Sequence, residues 1–204
     1  MIIFDFDGTL ADTISLGIVL INSYSEQFKY NKIDREKNSG LSAFELIKEM
    51  GIPFRRLPYL AWFLRKLLKE RAAEIPMNPG IREMLDSLKA SGYKLGILTS
   101  NSFDNVSEFL KRNGIESYFS YIRTKVPLFK KKKAIKKAKH QLKTDFVYVG
   151  DELRDIEACH KNNIPVVSVS WGFNSAESLQ KNNPGLVATT AEEVVKLVNQ
   201  LSKT

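Results

Sequence analysis

Asp5 and Asp7 stand two residues apart in the run Asp5-Phe6-Asp7-Gly8-Thr9, directly after the apolar Ile2-Ile3-Phe4. Side chains two apart on an extended backbone project to the same side, so the two carboxylates are held close together. Like charges so placed repel, and they make chemical sense beside a cation or a transferable proton. Three further runs have reactive potential: Thr99-Ser100-Asn101, the lysines around Lys131, and Gly150-Asp151-Glu152-Leu153-Arg154-Asp155. Carboxylates without thiolate or histidine partners make an oxygen-only donor set. Such a set favours Mg²⁺, which keeps several waters and shares substrate phosphate.

The elements that must position these runs are legible in the hydrophobic pattern. Ile2-Ile3-Phe4 reads as a short buried strand that ends in a polar turn. Asp12 or Thr13 caps a helix that carries Ile14, Ile18, Ile21 and Phe28 at helical spacing. A helix capped by Ser42 follows, with Glu45 in its first turn, then another from Leu60 to Ala73. After Pro79-Gly80 the rhythm changes to alternating helices and strands. Helices are predicted over Ile81–Ser91 and Asp104–Asn113, and strands at Lys94–Leu98, near Tyr121, at Phe146–Val149 and at Val166–Val169. This spacing predicts an α/β fold, a doubly wound parallel sheet with a Rossmann-like core. Residues 1–11 and 77–204 form that core, and residues 12–76 form an inserted helical unit. In such sheets ligands bind at the C-terminal ends of the strands, where all four polar runs fall.

Composition narrows the possibilities further. The 204 residues include 43% hydrophobic and 26% charged side chains, ordinary for a chain that buries a core. The single cysteine, Cys159, excludes an internal disulfide framework, and its expected place is the core. With only His140 and His160, both expected on helix surfaces, a histidine-rich metal site is excluded. No stretch is long and apolar enough for a membrane span, and the start lacks the pattern of a signal peptide, so a cytoplasmic protein is expected. The net charge of +8 is local: residues 123–143 hold 10 of the 31 basic residues and no acid, and the remainder carries −2. The favoured reading of this stretch is a solvated helix face, with Ile135, Ala138 and Leu142 turned inward. A polyanion attractor is the sharper alternative, although no Phe, Tyr or Trp interleaves the lysines from Lys130 to Lys143 as nucleic-acid stacking requires.

The four runs, in this order and at these separations, resemble the haloacid dehalogenase-like hydrolase superfamily over nearly the whole chain. Leu95–Asn101 and Tyr148–Ile156 are most similar to its phosphoglycolate phosphatase-like branch. The resemblance implies that Asp5 is a nucleophile forming an aspartyl-phosphate, and that Asp7 protonates the leaving oxygen and then activates water. It implies Mg²⁺ held by Asp5, the carbonyl of Asp7, Asp151 and, directly or through water, Asp155. Thr99, with Ser100 as the alternative, bonds the phosphoryl oxygens, and Gly8, Thr9, Ser100 and Asn101 line the substrate pocket. Lys131 balances charge at the nucleophile, with Lys130 and Lys132 as alternatives in the same run.

The helical insertion matches the position of the superfamily's cap. Ser39-Gly40-Leu41-Ser42 resembles the cap's substrate-facing loop, which makes Gly40 and Ser42 candidate contacts. Arg55, Arg56 and Arg65 are candidate partners for a second substrate anion, with a solvent-facing role favoured. Tyr59, Trp62 and Phe63 are expected to make a helical core, and Trp171-Gly172-Phe173 either borders the site or packs. The implied function is Mg²⁺-dependent hydrolysis of a small phosphomonoester, such as 2-phosphoglycolate or a sugar phosphate, by a monomer or homodimer. A phosphomutase, or a nucleic-acid or protein-binding module using residues 123–143, is the alternative. A dehalogenase is disfavoured because it has no use for Asp7.

Overall fold

Strand β1 (Ile2–Phe4) is buried on both faces because it occupies the middle of a six-stranded sheet. The computed structural model describes residues 1–34, 43–127 and 130–202. The other strands are β2 (Leu95–Leu98), β3 (Phe119–Arg123), β4 (Val147–Gly150), β5 (Val166–Val169) and β6 (Val187–Ala188). They are all parallel, in the order β3-β2-β1-β4-β5-β6. Phe4 pairs with Ile97 on one side and Val149 on the other. The chain therefore leaves β1 in one direction and later returns on its opposite flank at β4. This is the switch point where an open α/β sheet forms its ligand crevice. Strand β6 was not anticipated: two residues are too few to show a pattern, and its pairing with β5 defines it.

The alternation of side chains sorts the core into two layers. Ile2, Phe4, Val147 and Val149 pack with Leu85 of α5 (Ile81–Ala90), Phe109 of α6 (Phe103–Arg112) and Val194 of α10 (Ala191–Leu201). Ile3 and Tyr148 face the other way, onto Ile135 of α7 (Lys131–Leu142) and Cys159 of α8 (Leu153–His160). Cys159 is fully buried, and burial pushes its thiol pKa up, consistent with a packing role. Both histidines are exposed. Helix α7 buries Ile135 and Ala138 and half-buries Leu142, leaving Lys132, Lys133, Lys136 and Lys137 in solvent. The basic stretch is thus the outer face of an amphipathic helix.

Between β1 and α5 the described chain forms α1 (Thr13–Ser23), α2 (Ser25–Phe28), α3 (Ala43–Glu49) and α4 (Leu57–Glu70). Ile21, Ile33, Met50 and Leu60 make a small cluster of their own there. Asp12 caps α1 by accepting from the Ser15 amide at 2.9 Å. The predicted single helix divides at Tyr24, and α4 begins three residues before the expected start because Pro58 is suited to a first turn. Phe63 packs edge-on against Tyr24 and Phe28, as a helical core requires. Tyr59 also meets Phe28 edge-on, but Tyr59 and Trp62 are 53% and 59% exposed and are not buried in a core. The two ends of the insertion are tied together, with Ala11 bridged to Met77 and the Asp12 amide donating to the Pro76 carbonyl at 2.8 Å. Among the described residues no helix is long and apolar enough to cross a membrane. A short 3₁₀ turn at Ala72–Glu74 and α9 (Ala176–Asn182) complete the elements used below.

Candidate active site

Asp5 follows the last residue of β1, and its amide donates to the Val149 carbonyl, so the backbone is held in sheet register to the strand's tip. Its carboxylate accepts from the Phe6 amide at 2.8 Å. Asp151 follows the end of β4, and Asp155 lies in the first turn of α8, where the Glu152 amide donates to it at 3.3 Å. One oxygen from each of Asp5, Asp151 and Asp155 falls within 4.8 Å of the others, and all three residues are buried. Lys131, the first residue of α7, forms ion pairs with both Asp5 and Asp155 and is itself buried. Of the three lysines open to this role in the sequence, Lys130 and Lys132 are exposed.

Several groups with no obvious motif lock this cluster. The Lys131 ammonium lies 5.5 Å from the centre of the Tyr148 ring, a favourable cation–π distance, and the Tyr148 hydroxyl donates to the Leu98 carbonyl at 3.2 Å. Asp151 accepts from the Thr9 hydroxyl at 2.9 Å and from the Phe173 amide at 2.7 Å. The Thr9 carbonyl is pinned by the Asn78 amide and the Trp171 indole, each at 3.1 Å. Asn174 accepts from the Leu153 amide at 2.9 Å, capping the helix that presents Asp155. Of these partners, the sequence pointed to Thr9 in the first polar run, Tyr148 in a strand and Trp171-Gly172-Phe173 as bordering the site or packing, but not to Asn78 or Asn174.

On the open side, Asp7 is half-buried and receives the Asn101 side-chain amide at 3.0 and 3.2 Å. The Asn101 backbone amide in turn donates to the Thr99 hydroxyl at 3.0 Å. Thr99 is fully buried, whereas Ser100 is exposed. Gly8, at φ +77°, makes the turn that carries the chain from Asp7 to Thr9. The contacts therefore bring Asp5, Asp7, Gly8, Thr9, Thr99, Asn101, Lys131, Asp151 and Asp155 into one neighbourhood at the strand ends. Gly40, Ser42 and the Arg65 side chain lie outside the described residues. Arg55 and Arg56 are exposed, and Arg56 donates to the Phe28 carbonyl at 3.4 Å.

The electrostatics of the crevice call for more positive charge. Burial, reinforced by the Asp5 charge, pushes Asp7 up to about 7. Burial pushes Asp155 up to about 7 as well, despite Lys131 beside it, and holds Asp151 well above the usual carboxylate range. For Lys131 burial opposes the charge, but Asp155 and Asp5 outweigh it and raise its pKa. Lys131 pairs with Asp5 and Asp155 alone, so these buried carboxyl groups cannot all ionise comfortably without further positive charge. A hard divalent cation with oxygen ligands fits such a site.

The sequence matches the family of haloacid dehalogenase-like hydrolases over residues 2–169. The chain belongs to that family. A phosphoglycolate phosphatase from Synechococcus elongatus is 32% identical over 208 residues, covering 99% of this chain and 98% of that protein. The pyrophosphatase PpaX from Listeria monocytogenes is 24% identical over 207 residues, covering 97% and 95%. A solved haloacid dehalogenase-like hydrolase from Streptococcus pneumoniae superposes with a TM-score of 0.73 at 22% identity, covering 96% of each chain. The protein is an enzyme, a haloacid dehalogenase-like phosphatase of the phosphoglycolate phosphatase-like branch.

In this hydrolase three glycines press against the acidic residues. A Cβ on Gly8 or Gly172 would collide with the Asp151 carboxylate, and one on Gly150 with that of Asp155. At Gly172 the clash reaches the Asp151 Cβ, next to the backbone, so the side chain cannot swing clear. Gly172→Ala is accordingly expected to displace Asp151 and lower kcat/KM by about 10²-fold, as misplacements of roughly 1 Å do. Steady-state kinetics on a phosphomonoester measures this, and an Ala variant with parental kcat/KM contradicts it.

Proposed function

We propose that the protein is a Mg²⁺-dependent phosphatase that hydrolyses a small phosphomonoester, phosphoglycolate-like or a sugar phosphate, through phosphorylation of Asp5. The observation that carries this reading is the meeting of Asp5 with Asp151, Asp155 and Lys131 at the sheet's switch point, with Asp7 on the open side. Asp5, Asp151, Asp155 and the Asp7 carbonyl would hold the cation. Bound there, Mg²⁺ supplies positive charge to offset the phosphoryl oxygens. An Asp5 oxygen attacks phosphorus while Asp7 delivers a proton to the leaving oxygen, releasing the alcohol. Asp7 then takes a proton from water as that water attacks the aspartyl-phosphate, freeing phosphate and regenerating Asp5. Thr99 contributes its hydroxyl to the phosphoryl oxygens, Gly8, Thr9 and Ser100 shape their pocket, and Lys131 steadies the charge on Asp5.

A helical cap over residues 12–76 would exclude water and favour small substrates, with Gly40 and Ser42 as candidate contacts. The free, buried Cys159 suits a reducing cytoplasmic compartment, where the enzyme would act as a monomer or homodimer. A phosphate-release screen over phosphorylated metabolites tests the reading. Free phosphate is expected with Mg²⁺ and none with EDTA, whereas a hexose phosphate that is isomerised without release marks a phosphomutase.

Cation binding also has a thermal signature. Burial pushes Asp7 and Asp155 up to about 7 from an ordinary 3.8, so the folded chain holds protons that the unfolded chain releases between those pH values. Stability of the metal-free protein is therefore fully present below the lower value and is lost as pH rises through the upper one. Its Tm should be higher at pH 5.5 than at pH 8. Mg²⁺ at a hundred times its Kd should add about 2.7 kcal/mol at pH 8, roughly 5–10 °C, and less at pH 5.5, where protons compete. A Tm that ignores both pH and Mg²⁺ in thermal-shift measurements contradicts the site.

A further inference from the structure

We infer that the outer face of α7 binds double-stranded nucleic acid through its phosphates, without regard to base sequence. Lys132, Lys133, Lys136 and Lys137 are exposed, and at about 100° per residue they fall within an arc of roughly 140° that also holds the exposed His140. The opposite side of the helix, with Lys131, Ala134, Ile135 and Ala138, is buried. None of the four outer lysines forms an ion pair with a described residue. Glu157 of α8 feels the charge of Lys132, but its ion pair is with Lys161. Lys130 and Lys143, both exposed, flank the helix. Arg123, at the end of β3, donates to the Gln141 side chain at 3.4 Å and so places a further cation beside the last turn.

This arrangement works against the helix that carries it. Lys132 with Lys136, and Lys133 with Lys137, are like charges one turn apart, and each such pair is destabilising. The first turn holds no acid, and Lys132 and Lys133 stand where the positive end of the helix dipole repels them. Lys130 at the N-cap supplies no side-chain bond. Local rules broken together without compensation inside the fold mark a surface with a task, and an anionic partner relieves every one of these repulsions.

The make-up of the face selects the partner. Its side chains are lysines, His140 and Gln141, with no Phe, Tyr or Trp, and the apolar residues of α7 are turned to the core. An anionic membrane would need apolar side chains to insert, and a protein partner an aromatic or aliphatic anchor. A single strand would need rings on which to stack. Recognition by charge alone suits a duplex, which presents one negative charge per about 1.7 Å, or roughly ten along the ~18 Å of this helix. Lysines are point charges suited to phosphates and leave the bases unread.

Fluorescence anisotropy with a short labelled DNA duplex tests this. At about 0.1 M salt the protein should bind with a Kd in the micromolar range, and log K should fall with log salt at a slope of roughly −4 to −5. Lys133→Gln, Lys136→Gln and Lys137→Gln combined should weaken binding by at least about 10²-fold and flatten the slope by roughly 2.7. The Tm of that variant should be no lower than the parent's, because repelling charges leave. The matched control combines Lys48→Gln, Lys66→Gln and Lys69→Gln, exposed lysines of the helical insertion. It changes the net charge equally, and its Kd should stay within about threefold of the parent's because distant charges are screened. Three results overturn the assignment. One is an equal loss in the two triple variants, which marks net charge alone. Another is a parental slope shallower than about −2, which decides the matter even if the α7 variant fails to fold. The third is equal affinity for polyglutamate or for phosphatidylserine vesicles, which marks a general anion surface.

Discussion

Asp5→Asn should lose at least about 10⁴-fold in turnover of an aryl phosphate, ~5.5 kcal/mol of barrier, without losing its fold. The amide is isosteric, so the Phe6 amide keeps an oxygen to bond and Lys131 keeps Asp155 as its partner. What disappears is a nucleophilic oxygen and one buried negative charge. That charge is among the groups raising Asp7, Asp151 and Asp155, so its removal relieves repulsion in the metal-free cluster. The expected outcome is a dead enzyme whose metal-free Tm at pH 8 equals or exceeds that of the parent. Turnover near the parental value rules out Asp5 as nucleophile. A collapsed Tm shows instead that the carboxylate is needed for the structure.

The second large effect is on stability. Lys131→Met removes the single ammonium from two buried carboxylates, and breaking a buried pair in this way costs about 3–5 kcal/mol. For a chain of this size the fall in Tm at pH 8 is roughly 10 °C. The loss should shrink at pH 5.5, because Asp155, held near 7 even with Lys131 present, then binds a proton in its place. Mg²⁺ should also recover part of it. Lys132→Met, on the exposed face of the same helix, should change Tm by under about 1 °C and serves as the comparison. Equal effects of the two substitutions are incompatible with Lys131 as the buried counterion.

The success of the sequence in locating the acidic cluster has a physical basis. Asp5 and Asp151 each terminate a strand whose apolar residues are buried on both faces, and such a strand leaves a plain hydrophobic run with a polar stop. Helix α7 was legible for a similar reason: Ile135, Ala138 and Leu142 recur at helical spacing, which turns most of its lysines to solvent. Tyr59 and Trp62 show where this logic breaks down. Their apolar surface suggested a core, but the insertion is too small to bury every large side chain it carries. Likewise β6 exists through its neighbour β5, and nothing local specifies it.

Residue types and their order along the chain were enough to determine a parallel α/β sheet, an inserted helical segment and a cluster of carboxylates at the strand ends. These follow from short-range rules, since burial, periodicity and turn chemistry act over a few residues. Which lysine enters the site, which way the Asn101 amide faces, and how Asn78, Tyr148, Trp171 and Gly172 brace the carboxylates were decided only by the tertiary structure. Those contacts join residues up to 162 positions apart, and the geometry that joins them is created when β1 and β4 pair side by side.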